Sequence, residues 1–161
     1  MKDDNVVKEK SFEFSVRIVN LYKHLTTSKQ EYIMSKQLLR SGTSIGANIC
    51  EAEQAQSTLD FLSKMNISLK ESSESDYWLR LLHRTGYLND EEYNSIIKDC
   101  RDLTKLLVAI VKSTKENNTN WKYILLTKIC DSCQIAVLSK MVVQLSIVNY
   151  QLSIKFENYV W

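Results

Sequence analysis

Through the first 115 positions, apolar residues recur three and four apart, the period of a helix face rather than of a strand. Four segments carry the pattern. From about Asn5 to Thr26, Phe14, Ile18, Leu21 and Leu25 share one direction, and Phe12, Val16 and Val19 share another, with Tyr22 between them. Glu13, Arg17, Asn20 and His24 mark the only polar side. So wide an apolar arc suits a helix sunk deep in a monomer, or one that covers a core on one side and a partner subunit on the other. Two distinct apolar directions favour the second.

The next segment, about Ser28 to Glu53, sets Met34, Leu38, Ile45, Ile49 and Ala52 on one side, with Gly42 and Gly46 beside them. A glycine inside a helix costs about 0.8–1 kcal/mol against alanine. Two in one helix imply close approach of a neighbouring backbone. Gly42 and Gly46 therefore join Phe12, Val16 and Val19 as candidate close-packing or subunit contacts. A third helix over about Ser57 to Arg84 carries Phe61, Leu62, Met65, Leu69 and Leu79 on one face and Ile67, Trp78 and Leu81 on another. Gly86 follows as a stop, and Asn89-Asp-Glu-Glu92 has the cap and the carboxylates that open a helix. That fourth helix keeps Tyr93, Ile96, Ile97, Cys100, Leu103, Leu107, Ile110 and Val111 in register to about Lys115.

These segments predict an all-α, antiparallel up-down four-helix bundle over residues 1–121. Beyond the polar stretch 115–120 the composition turns to Ile, Leu, Val and Ser, and Gln144-Leu-Ser-Ile147 recurs as Gln151-Leu-Ser-Ile154. Helix and strand are equally arguable there, so residues 122–161 are read as an appended tail outside the bundle core.

Composition agrees with the helical reading. Three glycines and no proline in 161 residues leave little of the punctuation that sandwiches, barrels and Rossmann-type loops require. Net charge is +2; residues 122–161 hold four basic and two acidic residues, so residues 1–121 balance at 17 of each. A neutral body argues against long duplex nucleic acid held by a broad basic face, and leaves room for a local basic stripe. No apolar leader follows Met1, and the longest uncharged run, Met141–Ile154, has 14 residues, too few to span a bilayer. The expectation is a cytoplasmic protein without membrane contact. Cys50 and Cys100 fall at helical core positions as reduced thiols, and Cys130-x-x-Cys133 lacks the second pair or histidine that a metal site needs.

Phosphate-binding glycine loops and nucleophile elbows are absent, and neither His24 nor His83 stands in Glu-x-x-His spacing. No catalysis, metal or cofactor is expected. Lys29, Lys36 and Arg40 fall at i, i+7 and i+11, a row suited to phosphates if all three lie on one helix. A hairpin of helices two and three turning near Ala55 would set Arg40 beside Glu71 and Lys36 beside Glu74. Arg40 is accordingly read as the partner of Glu71 and Glu74 in structural ion pairs, with Lys29 and Lys36 left for nucleic acid.

The run Gln37-Leu-Leu-Arg-Ser-Gly-Thr-Ser-Ile-Gly-Ala-Asn-Ile-Cys-Glu-Ala52, with Leu69-Lys-Glu-Ser-Ser-Glu-Ser-Asp-Tyr-Trp-Leu-Arg-Leu-Leu82 and Phe14–Leu25, resembles the 23S rRNA intervening-sequence proteins over roughly residues 8–115. The resemblance implies a bacterial four-helix bundle that assembles into a ring, typically a homopentamer, without known catalysis. Related proteins are accessory to diversity-generating retroelements and bind a reverse transcriptase and nucleic acid. The partners implied are therefore further copies of the chain, RNA, or a reverse transcriptase. Those relatives tend to be strongly basic, whereas this body is neutral, and the tail has no counterpart in the family pattern.

Overall fold

A computed structural model describes residues 6–132, with side chains through Asn118. The chain divides into two units, Met1–Glu116 and Asn117–Trp161, and the first holds the bundle. Four helices occur among the described residues: α1 (Val6–Ser28), α2 (Met34–Ala52), α3 (Thr58–Arg84) and α4 (Asp90–Ser132). No strand occurs among them, and the fold is an all-α four-helix bundle. The tail expected over 122–161 falls outside the described side chains, and from residue 133 outside the described residues altogether.

The helix ends follow from local chemistry. Ser57 Oγ accepts from Asp60 N at 3.1 Å and caps α3. Asn89 and Glu92 cap α4 reciprocally: Asn89 Oδ1 accepts from Glu92 N at 2.8 Å, and Glu92 Oε2 accepts from Asn89 N at 3.0 Å. Gly86, at φ +79°, takes the left-handed turn after α3, where Tyr87 N donates to Leu82 O. Two boundaries depart from expectation. The fourth helix continues past Lys115 to Ser132, because the polar stretch 115–120 contains neither proline nor glycine and polarity alone does not end a helix. And α2 begins at Met34 rather than near Ser28, because Gln30 adopts φ +54° and breaks the path.

Glu31 then starts α2. Its Oε1 accepts from Ile33 N at 3.0 Å and Met34 N at 2.8 Å, and its Oε2 accepts from Ser35 N at 2.6 Å. A buried carboxylate thus satisfies the donors that a helix N-terminus leaves unpaired. Burial pushes the Glu31 carboxyl up, but the backbone N–H groups of Met34, Ser35 and Ile33 and the Ser35 hydroxyl outweigh it and hold the group below its usual range. A lowered folded-state value means the stabilisation is complete above the ordinary carboxylate range and is lost as pH falls through the folded value. Glu31→Gln should cost about 1–3 kcal/mol at neutral pH. Urea titrations should also show that the mutant loses less stability than wild type between neutral and acid pH.

Phe14, Ile18 and Leu25 of α1 meet Leu38, Ile45 and Ile49 of α2, Met65, Leu79 and Leu82 of α3, and Cys100, Leu103 and Leu107 of α4 in one core. The middle of α3 contributes something the apolar pattern does not show: Ser68, Ser72 and Ser75, all fully buried. Ser75 Oγ lies 3.0 Å from Ser41 Oγ, Ser68 Oγ donates to Ile45 O at 3.1 Å, and Thr104 Oγ1 donates to Ser72 Oγ at 3.1 Å. Small side chains let α3 approach α2 and α4 closely, and each hydroxyl finds an acceptor, so burial carries little penalty. These hydrogen bonds also fix the register between helices.

Candidate functional site

The glycines of α2 face α1. A Cβ on Gly42 would lie 2.8 Å from Ile18 Cγ1, and one on Gly46 would lie 3.3 Å from Ser15 Oγ. Close approach is therefore real, but it is made within one chain. The space at Gly42 is filled by Ile18 of the same chain, whereas Gly46 also lines a surface groove. Phe12 and Val16 give a reason for a second copy: they are 66% and 41% exposed, while Val19 is half-buried. Phe12 lines an open groove of about 1090 Å³ between α1 and α2, floored by Ser11, Ser15, Gly46 and Ala47. Lys8 and Glu53, paired at 2.6 Å, also line it. Cys50, expected in the core, is instead exposed and opens into this groove, because it lies on the α2 face that α1 leaves uncovered. Cys100 is buried, and burial pushes its thiol up to about 12, so it stays protonated and unreactive in the folded state.

The expected cationic row is only partly formed. Lys29 sits in the α1–α2 connection, so it shares no helix face with Lys36 and Arg40; the left-handed Gln30 is the cause. Lys36 and Arg40 are exposed on consecutive turns of α2, and among the described residues none of the three makes an ion pair within 4 Å. The expected structural pairing of Arg40 with Glu71 and Glu74 is likewise not formed. Ser41 meets Ser75 and Ile45 meets Ser68, which places the turn near Ser57 and sets Arg40 level with about residues 73–76 instead of residue 70. Arg40 still acts on Glu71 through space: burial and the Glu74 charge push the Glu71 carboxyl up, and the guanidinium partly opposes them. Glu74 instead accepts from Trp78 Nε1 at 3.1 Å.

A second charged surface, between α3 and α4, is not apparent from the sequence. Asp76 accepts from Arg80 Nε at 2.6 Å and faces Arg101 Nε at 3.5 Å. His83 Nε2 lies 2.7 Å from Asp90 Oδ1, and its ring stacks on Tyr93 with centroids 4.2 Å apart. The one sequence signal for it is Tyr77, Arg80 and Arg84 at helical spacing; the partners on α4 are invisible without the fold. Among the described residues, no three His, Cys, Asp or Glu side chains converge as a metal ion would require, and no helix is long and apolar enough to cross a membrane.

A family model described as 23S rRNA-intervening sequence protein matches residues 3–109. A crystal structure from Bacteroides thetaiotaomicron, described as a protein with unknown function from the S23 ribosomal protein family, is 61% identical, with a TM-score of 0.65. The alignment covers 66% of this chain and 98% of that one. No curated protein matches the chain.

Proposed function

The chain belongs to the 23S rRNA-intervening sequence protein family, and on that premise we propose that it is a non-catalytic bundle that self-associates and holds RNA. The observation that supports RNA association is the exposure of Lys29, Lys36 and Arg40 without an ion pair among the described residues. By contrast, Lys8, Arg17, Lys64, Arg80, Arg101 and Lys105 each face a carboxylate. A neutral protomer binds a polyanion weakly through a few unpaired cations. Repeating those cations around a ring multiplies the phosphate contacts, because each further site binds at the effective concentration set by the first.

The face that supports self-association is the exposed side of α1. Phe12 and Val16 are only partly covered within one chain, so a second copy over them gains about half of the roughly 1.5–3 kcal/mol that full burial of each side chain is worth. The groove beside Phe12 offers small side chains for that copy to pack on. The copies would form a closed ring, with five the number expected in the cytoplasm of a bacterium.

A gel shift of the full chain with structured RNA tests the RNA half. Binding should appear at low salt and weaken steeply as salt rises. Replacing Lys29 and Lys36 by alanine should lower the dependence of log affinity on log salt by about one for each phosphate no longer neutralised. No shift with any RNA at low salt would sink the reading.

A further inference from the structure

We infer that the α3–α4 flank, at Tyr77, Arg80, Arg84 and Tyr93, is a binding site for single-stranded RNA, with a nucleobase on Tyr77 and phosphates on the arginines. The inference rests on the RNA reading above and names a site that reading does not include. Two open pockets run along this flank, of about 420 and 460 Å³, and Arg80 lines both. The first is walled by Tyr77, Arg80, Arg84 and Tyr93, the second by Arg80, Arg101 and Lys105. The local charge balance is positive. Asp76 is shared between two guanidiniums, Lys105 has Asp102 at 3.0 Å, and Arg84 makes no ion pair among the described residues.

The aromatic groups decide the ligand. Tyr77 is 52% exposed, and only its contact with Trp78 is edge-on, which leaves ring surface for stacking. Tyr93 is half-buried against the core with His83, tied to Asp90, stacked on one face, so it walls the pocket beside the exposed Tyr77 ring. An acidic peptide would be satisfied by the arginines and would gain nothing specific from an exposed ring face. A single strand uses both, because every base has a face to stack and every step carries a phosphate. Duplex RNA offers no unstacked base, so it should bind the flank poorly.

The test is fluorescence anisotropy of the full chain with a short uridine-rich single strand, its duplex form, and polyglutamate as competitor. Tyr77→Ala should weaken single-strand binding about tenfold without altering the salt slope, and Tyr77→Phe should restore it. Arg84→Ala should weaken binding and lower the salt slope by about one. Circular dichroism melts establish that each variant is folded, and Arg84→Lys, which keeps the charge, should retain the slope. Wild type that binds RNA while Tyr77→Ala and Arg84→Ala bind equally well would overturn this site and leave the RNA reading standing. Wild type that binds no RNA would overturn both. Polyglutamate displacing the strand at equal charge concentration, with Tyr77→Ala silent, would show an acidic-protein surface instead and would also overturn the inference.

Discussion

Ile18→Ala should destabilise the bundle by about 2–5 kcal/mol, and Gly42→Ala in the same chain should recover part of that loss. Ile18 is fully buried, and its Cγ1 occupies the space a Cβ on Gly42 would need, at 2.8 Å. In the wild-type background, Gly42→Ala therefore overpacks. The strain of about 1–3 kcal/mol exceeds the roughly 1 kcal/mol gained in helix propensity. With Ile18 cut back to alanine the clash is gone and the added methyl fills part of the cavity, so the two changes are strongly non-additive. Gly46→Ala is the contrast. Its nearest neighbour is the half-buried Ser15 hydroxyl at 3.3 Å, which can give way, so the propensity gain should leave stability near wild type. Denaturant melts of the four chains in the Ile18/Gly42 cycle check this. Additive losses would show that α1 and α2 do not meet at these two residues.

On the proposed association through α1, Phe12→Asp combined with Val16→Asp should leave a folded monomer. Both side chains are exposed on α1, so within one chain the charges cost little, and circular dichroism should show unchanged helicity. Across an interface between copies the same carboxylates would face desolvation and one another, at several kcal/mol for each pairing. Loss of assembly with retained folding is the expected result, measured by sedimentation over a range of concentrations. A variant that still associates as wild type does would overturn the α1 interface.

Much of the architecture is legible along the chain, because the devices involved are local. The Asn89–Glu92 capping signal and the Gly86 stop both act within four residues of themselves, and each appears where its spacing puts it. The start of α2 is not legible, because no Gly or Pro announces the left-handed residue at Gln30, and Glu31 reads as an ordinary surface carboxylate until its three backbone donors are seen. Ser68, Ser72 and Ser75 escape notice because hydrophobic periodicity counts only apolar side chains, whereas close helix packing selects for small ones. The Arg40 pairing fails on register. A shift of about two residues in the α2–α3 turn moves the opposing residue by about one helical turn, and nothing in the apolar stripe fixes it. The same limit hides the α3–α4 flank, where Tyr93 and Arg101 come from a different helix than Tyr77, Arg80 and Arg84.

Self-association that gathers weak cationic contacts on RNA is the central claim, and sedimentation velocity of the full chain with and without labelled single-stranded RNA tests it most directly. The expected result is a protein boundary at several times 18.7 kDa that carries the RNA with it at low salt and releases it at high salt. A single boundary at the protomer mass at micromolar concentration, with the RNA left behind at every salt concentration, would contradict it.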